Sequence, residues 1–373
     1  MLPHVTRDLW EYLKDTDKTI VLYGMGNGAD KILAVLAEHG ISVGGVFASD
    51  GFARGNLFHG MPVCTWSDIK TQYGAKNVIV LLSFGTSRPE VIENILRIRA
   101  EAELYAPDVP AFGDTLFTRA FYEEHLAEFT AARELLSDDE SRRNFDNVLS
   151  FKLSGDIGYL LDTESDEDEI WENIIHPETI QTAADLGAYN GDTVRQLLAK
   201  GCGNIQTIWA MEPDARNYKK LDTYAKNEAC AQIIPVNAGA WNEETTLFFD
   251  KSGNRNASFE KNRSQTLVDR PIKVEEVKAL PLDSVLDGAC VDYVKYDVEG
   301  SEREALEGSR ETLNRYNPIL LVSLYHRSED MFELPLYVRE IAPQYNGFYL
   351  RRMAGIPAWD INLYVTKEKQ NAQ

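Results

Sequence analysis

Cysteine is scarce and scattered: the chain of 373 residues has only four, Cys64, Cys202, Cys230 and Cys290. No pair stands at metal-ligand spacing, so zinc ribbons and disulfide frameworks are excluded and a reducing compartment is expected. Each cysteine reads as a small buried hydrophobe. Long apolar runs are also missing. The longest are strand-sized stretches such as Val78–Leu82, far short of the roughly 18–20 residues of a membrane span. Residues 1–7 lack the charged-then-apolar pattern of a secretory signal. Positive charge is the minority sign, with 38 Lys+Arg against 59 Asp+Glu and a net charge of −21. Such a field repels polyanions. The expectation is a cytoplasmic protein that binds neither nucleic acid nor membrane. What is present, 44% hydrophobic and 26% charged residues, is the composition of a globular protein with two or three domains.

Strand-like and helical patterns alternate through residues 1–113. A β-branched run feeds the turn Gly24-Met-Gly-Asn-Gly-Ala29, and a helix follows to Gly40. Strands are expected at 41–47, 77–82 and 102–105, with a helix at 89–99. This predicts a small Rossmann-like α/β domain with a parallel sheet. Residues 114–179 are helical and acidic, a connector or lid with one long amphipathic helix at 117–136 and another at 139–153. The run Asp162-Thr-Glu-Ser-Asp-Glu-Asp-Glu169 reads as a solvated loop or a helix start. Residues 180–373 repeat the α/β alternation with strands at 182–186, 207–211, 232–237, 291–297 and 318–326. Segments 348–353 and 360–365 around Gly355-Ile-Pro357 end the sheet as an antiparallel hairpin. A helix is expected at 302–310.

The loop Asp185-Leu-Gly-Ala-Tyr-Asn-Gly191 follows the first strand of this second unit. Gly187 and Gly191 allow a close backbone approach to a ligand. The acid at its head is awkward for a pyrophosphate and suits a ligand bearing an ammonium and a sulfonium. Glu212, at the end of the next strand, is placed to accept hydrogen bonds from two ribose hydroxyls. Together these fit S-adenosylmethionine better than NAD; the plainer alternative is a tight turn plus a strand-end acid.

With Met211-Glu-Pro-Asp214, Lys295-Tyr-Asp-Val-Glu-Gly-Ser-Glu302 and Ser323-Leu-Tyr-His326 in order, residues 178–365 resemble the FkbM family of S-adenosylmethionine-dependent methyltransferases. The resemblance implies a class I methyltransferase sheet and O-methylation of a hydroxyl on a sugar, glycan or secondary metabolite. It implies that Asp185, Gly187, Ala188, Asn190 and Gly191 line the methionine and ribose side of the cofactor. Glu212 would then hold the ribose, and Asn237 and Ala238 would lie against the adenine.

Methyl transfer to oxygen needs in-line positioning and removal of a proton. His326 is the expected base, because its ordinary pKa of about 6.5 suits neutral pH. Asp297 and Glu299 would hold the acceptor hydroxyl, orient His326, act as base or bind a divalent cation. Two acids one residue apart are only suggestive, and no metal is assigned. The alternative is structural: a hydrogen-bonded imidazole, and a strand-to-helix cap with Glu302 in the first turn. Arg255 and Ser258, in the polar stretch 252–258, are candidate acceptor contacts. The loop Gly24–Ala29 with Asp50 beyond it also fits a permissive dinucleotide pattern. It therefore supports a second reading, a nicotinamide- or nucleotide-sugar-binding enzyme, beside a packing or homodimerisation role for the first domain or the connector.

Overall fold

The structure, a computed structural model, describes residues 5–367 apart from 50, 54, 202 and 251–273. Asp50, Cys202, Arg255 and Ser258 therefore lie outside the described residues. The first sheet contains β1 (Thr19–Tyr23), β2 (Gly45–Phe47), β3 (Leu57–Phe58), β4 (Met61–Cys64), β5 (Val78–Leu82) and β6 (Glu103–Tyr105). Their order is β3-β4-β2-β1-β5-β6, parallel except for the β3–β4 pair. All five residues of β5 are buried, as a central strand covered on both faces requires.

The second sheet contains β7 (Thr182–Leu186), β8 (Thr207–Met211) and β9 (Gln232–Val236). A small three-stranded sheet intervenes, made of β10 (Gly239–Ala240), β11 (Thr245–Asp250) and β12 (Val274–Leu280). The chain then returns to the second sheet as β13 (Tyr293–Tyr296), β14 (Ile319–Ser323), β15 (Gly347–Arg352) and β16 (Ile361–Thr366). The order β15-β16-β14-β13-β7-β8-β9 is parallel from β14 to β9 and antiparallel at the terminal hairpin. Mixed α/β architecture with Rossmann-like sheets of the methyltransferase type is therefore observed.

Several local expectations change. The helix expected over 117–136 is two helices, Arg119–Glu124 and Leu126–Leu135, broken at His125. The break lets the His125 ring stack on Phe332 at 5.0 Å, a tertiary contact that periodicity does not encode. The helix expected over 302–310 stops at Glu307, because Gly308 abuts the Trp241 carbonyl, and a second helix spans Arg310–Tyr316. The acidic run ends as a helix start, Glu167–Ile170, capped by Asp166. Cys230 and Cys290 are exposed and Cys64 is half-buried, so the described cysteines are not core residues. Cys230 and Cys290 sit in the connections that lead into β9 and β13, where a small side chain needs no partner.

The long helix Asp139–Ser154 is capped by Asp138 and ended by Gly155 in the left-handed conformation. It lies along β15, the edge strand. Ser137 and Ser141 hydroxyls accept from Phe348 N (2.8 Å) and Leu350 N (2.9 Å), which covers an edge that would otherwise be open. Among the described residues no helix is long and apolar enough to cross a membrane.

Candidate active site

Strand order in the second sheet reverses between β7 and β13, and ligands of such sheets bind beyond the carboxyl ends of the strands at that point. Gly187 and Gly191, in the loop after β7, have φ of +87° and +85°. Gly187 N and Ala188 N both donate to Met211 O, at 3.0 and 2.9 Å. A Cβ on Gly187 would lie 1.9 Å from Asp297 O, so glycine is required both by conformation and by the closeness of the two strand ends. Asn190 O accepts from Arg195 Nη1 at 3.2 Å, which steadies the loop.

Asp185 is buried, and each of its oxygens has a protein partner: the Thr193 hydroxyl, and Lys295 Nζ at 3.4 Å. The Lys295 ammonium also lies 3.3 Å from Asp297 Oδ2. Burial would discharge this lysine, but Asp297 and Asp185 outweigh that and raise its pKa. Burial likewise pushes Asp297 up, and Lys295 and His326 reverse the effect to leave it below the usual carboxylate range.

Glu212 is 6% exposed at the end of β8, with Oε1 accepting from Asp214 N at 2.8 Å. Burial is the main cause that lifts its pKa to about 7; backbone amides oppose it. Asn237 donates its amide to Glu212 O (2.9 Å) and Pro213 O (3.3 Å). That ties two strand ends together and leaves its carbonyl oxygen for a ligand. Ala238 is fully buried beside it.

Beyond β13 the chain turns sharply through Glu299 (φ +56°) and Gly300 (φ +89°) into the helix Glu302–Glu307. Glu302 is 1% exposed, and its Oε1 accepts from Val298 N at 2.8 Å and Gly300 N at 3.4 Å. His326 does not end its strand: β14 stops at Ser323, and the imidazole is sealed at 0% exposure. Its Nδ1 is 2.9 Å from Glu302 Oε1, and its Nε2 is 3.6 Å from Asp297 Oδ1 and 3.5 Å from Glu299 Oε2. The Phe112 ring covers it at 5.6 Å. Burial alone would favour neutral imidazole, but Glu302, Glu299 and Asp297 outweigh it and push the pKa up to about 10. The expectation of an ordinary, accessible histidine base is therefore corrected: the ring is enclosed, and three surrounding carboxylates make this a place that favours positive charge. Burial lifts Glu299 to about 8.

The structure thus gathers Asp297, Glu299 and His326 on one edge, with the Asp185–Gly191 loop and Glu212 on the adjoining strand ends. Lys295, Glu302 and Tyr325, whose hydroxyl donates to Asp297 Oδ1 at 3.1 Å, complete the group and were missed as site residues. Lys295 did carry a signal, a charge inside an otherwise apolar strand two positions before Asp297 and so on its face. Glu302 does cap backbone amides as its position suggested. No metal was assigned, yet Asp297, Glu302 and His326 offer ligand atoms within 4.8 Å of one another.

In the first unit, Gly24 and Gly28 are packing glycines. A Cβ would meet Phe84 Cδ1 at 2.7 Å and Ser83 O at 2.3 Å respectively; Gly26 alone faces open space.

Residues 185–348 match the sequence model of the methyltransferase FkbM domain. The chain carries an FkbM methyltransferase domain. Such a domain implies methylation with S-adenosylmethionine as donor. Methyltransferase FkbM from Methylobacillus flagellatus KT shares the fold over 93% of this chain and 90% of its own, at a TM-score of 0.68 and 20% identity. An rRNA methylase from Streptococcus thermophilus is similar over 54% of this chain and 93% of its own, with TM-score 0.34 and 13% identity. Fibrillarin from Aeropyrum pernix, in complex with S-adenosyl-L-methionine, is similar over 50% of this chain and 66% of its own, with TM-score 0.29 and 12% identity. No curated protein matches in sequence. The donor chemistry of the FkbM domain fits this cofactor: a buried Glu212 carboxylate is lifted by desolvation, and two ribose hydroxyls are the donors that would relieve it.

Proposed function

We propose that this chain transfers a methyl group from S-adenosylmethionine to a hydroxyl oxygen of a sugar, glycan or secondary-metabolite acceptor. The observation behind this reading is the carboxylate edge of Asp297 and Glu299 beside the Asp185–Gly191 loop, both at the point where strand order reverses. An oxygen acceptor loses a proton as it is methylated, and an accessible carboxylate is suited to take it. A polyanionic acceptor would meet a net charge of −21.

In this reading the glycine loop and Glu212 bind and orient the donor, while Asn237 Oδ1 and Ala238 border the adenine. When bound, S-adenosylmethionine supplies an electrophilic methyl group on its sulfonium. Asp297, fixed by Lys295 and Tyr325, orients the acceptor hydroxyl. Glu299, whose side chain is 34% exposed against 28% for Asp297, receives the proton. His326 is a positioning residue that holds both carboxylates from beneath. Much of the rate comes from that placement.

The test is a reaction with S-adenosylmethionine carrying a deuterated methyl group against a panel of sugars, glycans and phenolic metabolites, read by mass spectrometry. Label on oxygen is expected, with turnover cut in Glu299→Gln while S-adenosylhomocysteine binds as before. Label on nitrogen or carbon would overturn the reading, as would a melting temperature that S-adenosylhomocysteine does not raise.

A further inference from the structure

Among the described residues, three polar atoms in one buried cluster have no hydrogen-bond partner: His326 Nδ1, His326 Nε2 and Glu302 Oε2. Buried polar groups almost always find partners, so three orphans within one cluster are a signal about what the cluster is shaped to hold. Both ring nitrogens have carboxylate oxygens at close range but none in a bonding direction. Glu302 Oε1 is 2.9 Å from Nδ1, yet it lies outside the directional range of a ring N–H and is already occupied by Val298 N and Gly300 N. Asp297 Oδ1 and Glu299 Oε2 approach Nε2 only to 3.6 and 3.5 Å.

Two occupants could satisfy such a group. A proton would make His326 an imidazolium, which needs directed N–H bonds to the surrounding carboxylates. Neither ring nitrogen has one. A cation bound through lone pairs asks instead for several oxygen and nitrogen atoms converging on one point. Asp297, Glu302 and His326 provide that, with one ligand atom each and all three within 4.8 Å of one another. The positions are preorganised: two backbone amides fix the Glu302 carboxylate, Tyr325 fixes Asp297, and Phe112 presses on the imidazole.

We infer that Asp297, Glu302 and His326 form a divalent-cation site at the acceptor side of the FkbM domain. Two carboxylates and one imidazole are a mixed, oxygen-rich set suited to Mn²⁺ or Mg²⁺ rather than to thiophilic metals. Asp297 is the member that reaches the surface, so it opens the site toward the acceptor. A cation there would polarise an oxygen it holds, the property a hydroxyl acceptor needs. In that respect the site deepens the reading proposed above and rests on it.

The test uses the full-length protein, stripped of metal by chelation and titrated with Mn²⁺ alone, without donor or acceptor. One bound Mn²⁺ per chain is expected by calorimetry and electron paramagnetic resonance, with a nitrogen spin-echo modulation from one imidazole. Asp297→Asn should weaken binding about tenfold or more, and His326→Gln should abolish the nitrogen signal. Circular dichroism establishes that the variants fold; Asp297, half-buried, keeps the test available if the His326 variant does not. Failure of the wild-type protein to bind at millimolar Mn²⁺ would overturn the site, as would binding without the nitrogen signal. S-adenosylhomocysteine affinity on the same metal-free sample separates the two ideas. Cofactor binding without Mn²⁺ binding removes the cation site alone. Mn²⁺ binding without cofactor binding removes the transferase reading alone.

Discussion

Glu212 shows how much one side chain can encode. Its folded pKa, about 7, stands above the ordinary value of about 4.3. Between those values the native chain keeps a proton that the unfolded chain has lost, so stability contributed by this group falls as pH rises through that window. The cost, once complete above pH 7, is on the order of 3 kcal/mol. A ligand that donates hydrogen bonds to the carboxylate reverses the preference and expels the proton. The affinity for S-adenosylhomocysteine should therefore rise between pH 6 and pH 7 and level off above, by up to about tenfold. Glu212→Gln should bind weakly with a flat profile. Calorimetry over that range checks both, and a flat wild-type profile contradicts the assignment. Glu212 was legible because a strand-end acid after a glycine loop is a local pattern. Lys295 was legible only in its spacing to Asp297; its second partner, Asp185, lies on another strand, and only the parallel pairing of β7 with β13 brings the two together.

Strands and helices of the second sheet were mostly legible, since five apolar runs separated by helical spacing leave few other arrangements. Short elements were not. β3 and β4 are two and four residues long and too brief to show a period. The helix Asp330–Ile341 was also missed; Pro335 inside it argues locally against a helix, and only its packing overrides that. Nor could sequence reveal what covers an edge strand. Ser141, 0% exposed, accepts from Leu350 N at 2.9 Å and from Arg351 Nη1 at 2.8 Å. Ser141→Ala leaves a backbone amide and part of a buried guanidinium without that acceptor, and should cost about 1–3 kcal/mol. Urea denaturation measures it; a change below about 0.5 kcal/mol would mean the edge is held by other contacts.

Across the whole molecule, loops of the two α/β units meet beside the candidate site. Thr86 and Ile356 exchange two backbone hydrogen bonds, at 2.8 and 3.0 Å, which join the first unit to the terminal hairpin. Lys31, on the helix after the first glycine loop, donates to the carbonyls of Pro110 and Ala111. The next residue, Phe112, donates its N–H to His326 O at 3.0 Å and lies where a Cβ on Gly300 would come within 2.9 Å of it. The first unit thus closes the buried side of the second unit's acidic cluster. No periodic pattern announces this, because a single phenylalanine in a loop carries it. Phe112→Ala should lower stability by about 3–5 kcal/mol and open the imidazole to solvent. Exchange of the imidazole Cε1 hydrogen for deuterium, read by peptide mass spectrometry at a temperature below the variant's melting point, should then proceed at His326 in the variant and stay slow in the wild-type chain. Equal protection in both would mean that Phe112 is not the cover.

Gly187 stands against the Asp297 carbonyl with no side chain between them. The gap between the Asp185–Gly191 loop and the Asp297–Glu299 edge is therefore a main-chain dimension, set by the pairing of β7 with β13. On the proposed methyl-transfer reading, residues farther out can be exchanged to admit a differently shaped acceptor without resetting the stroke over which the methyl group would travel. Enlarging Gly187 would alter that stroke for every acceptor at once.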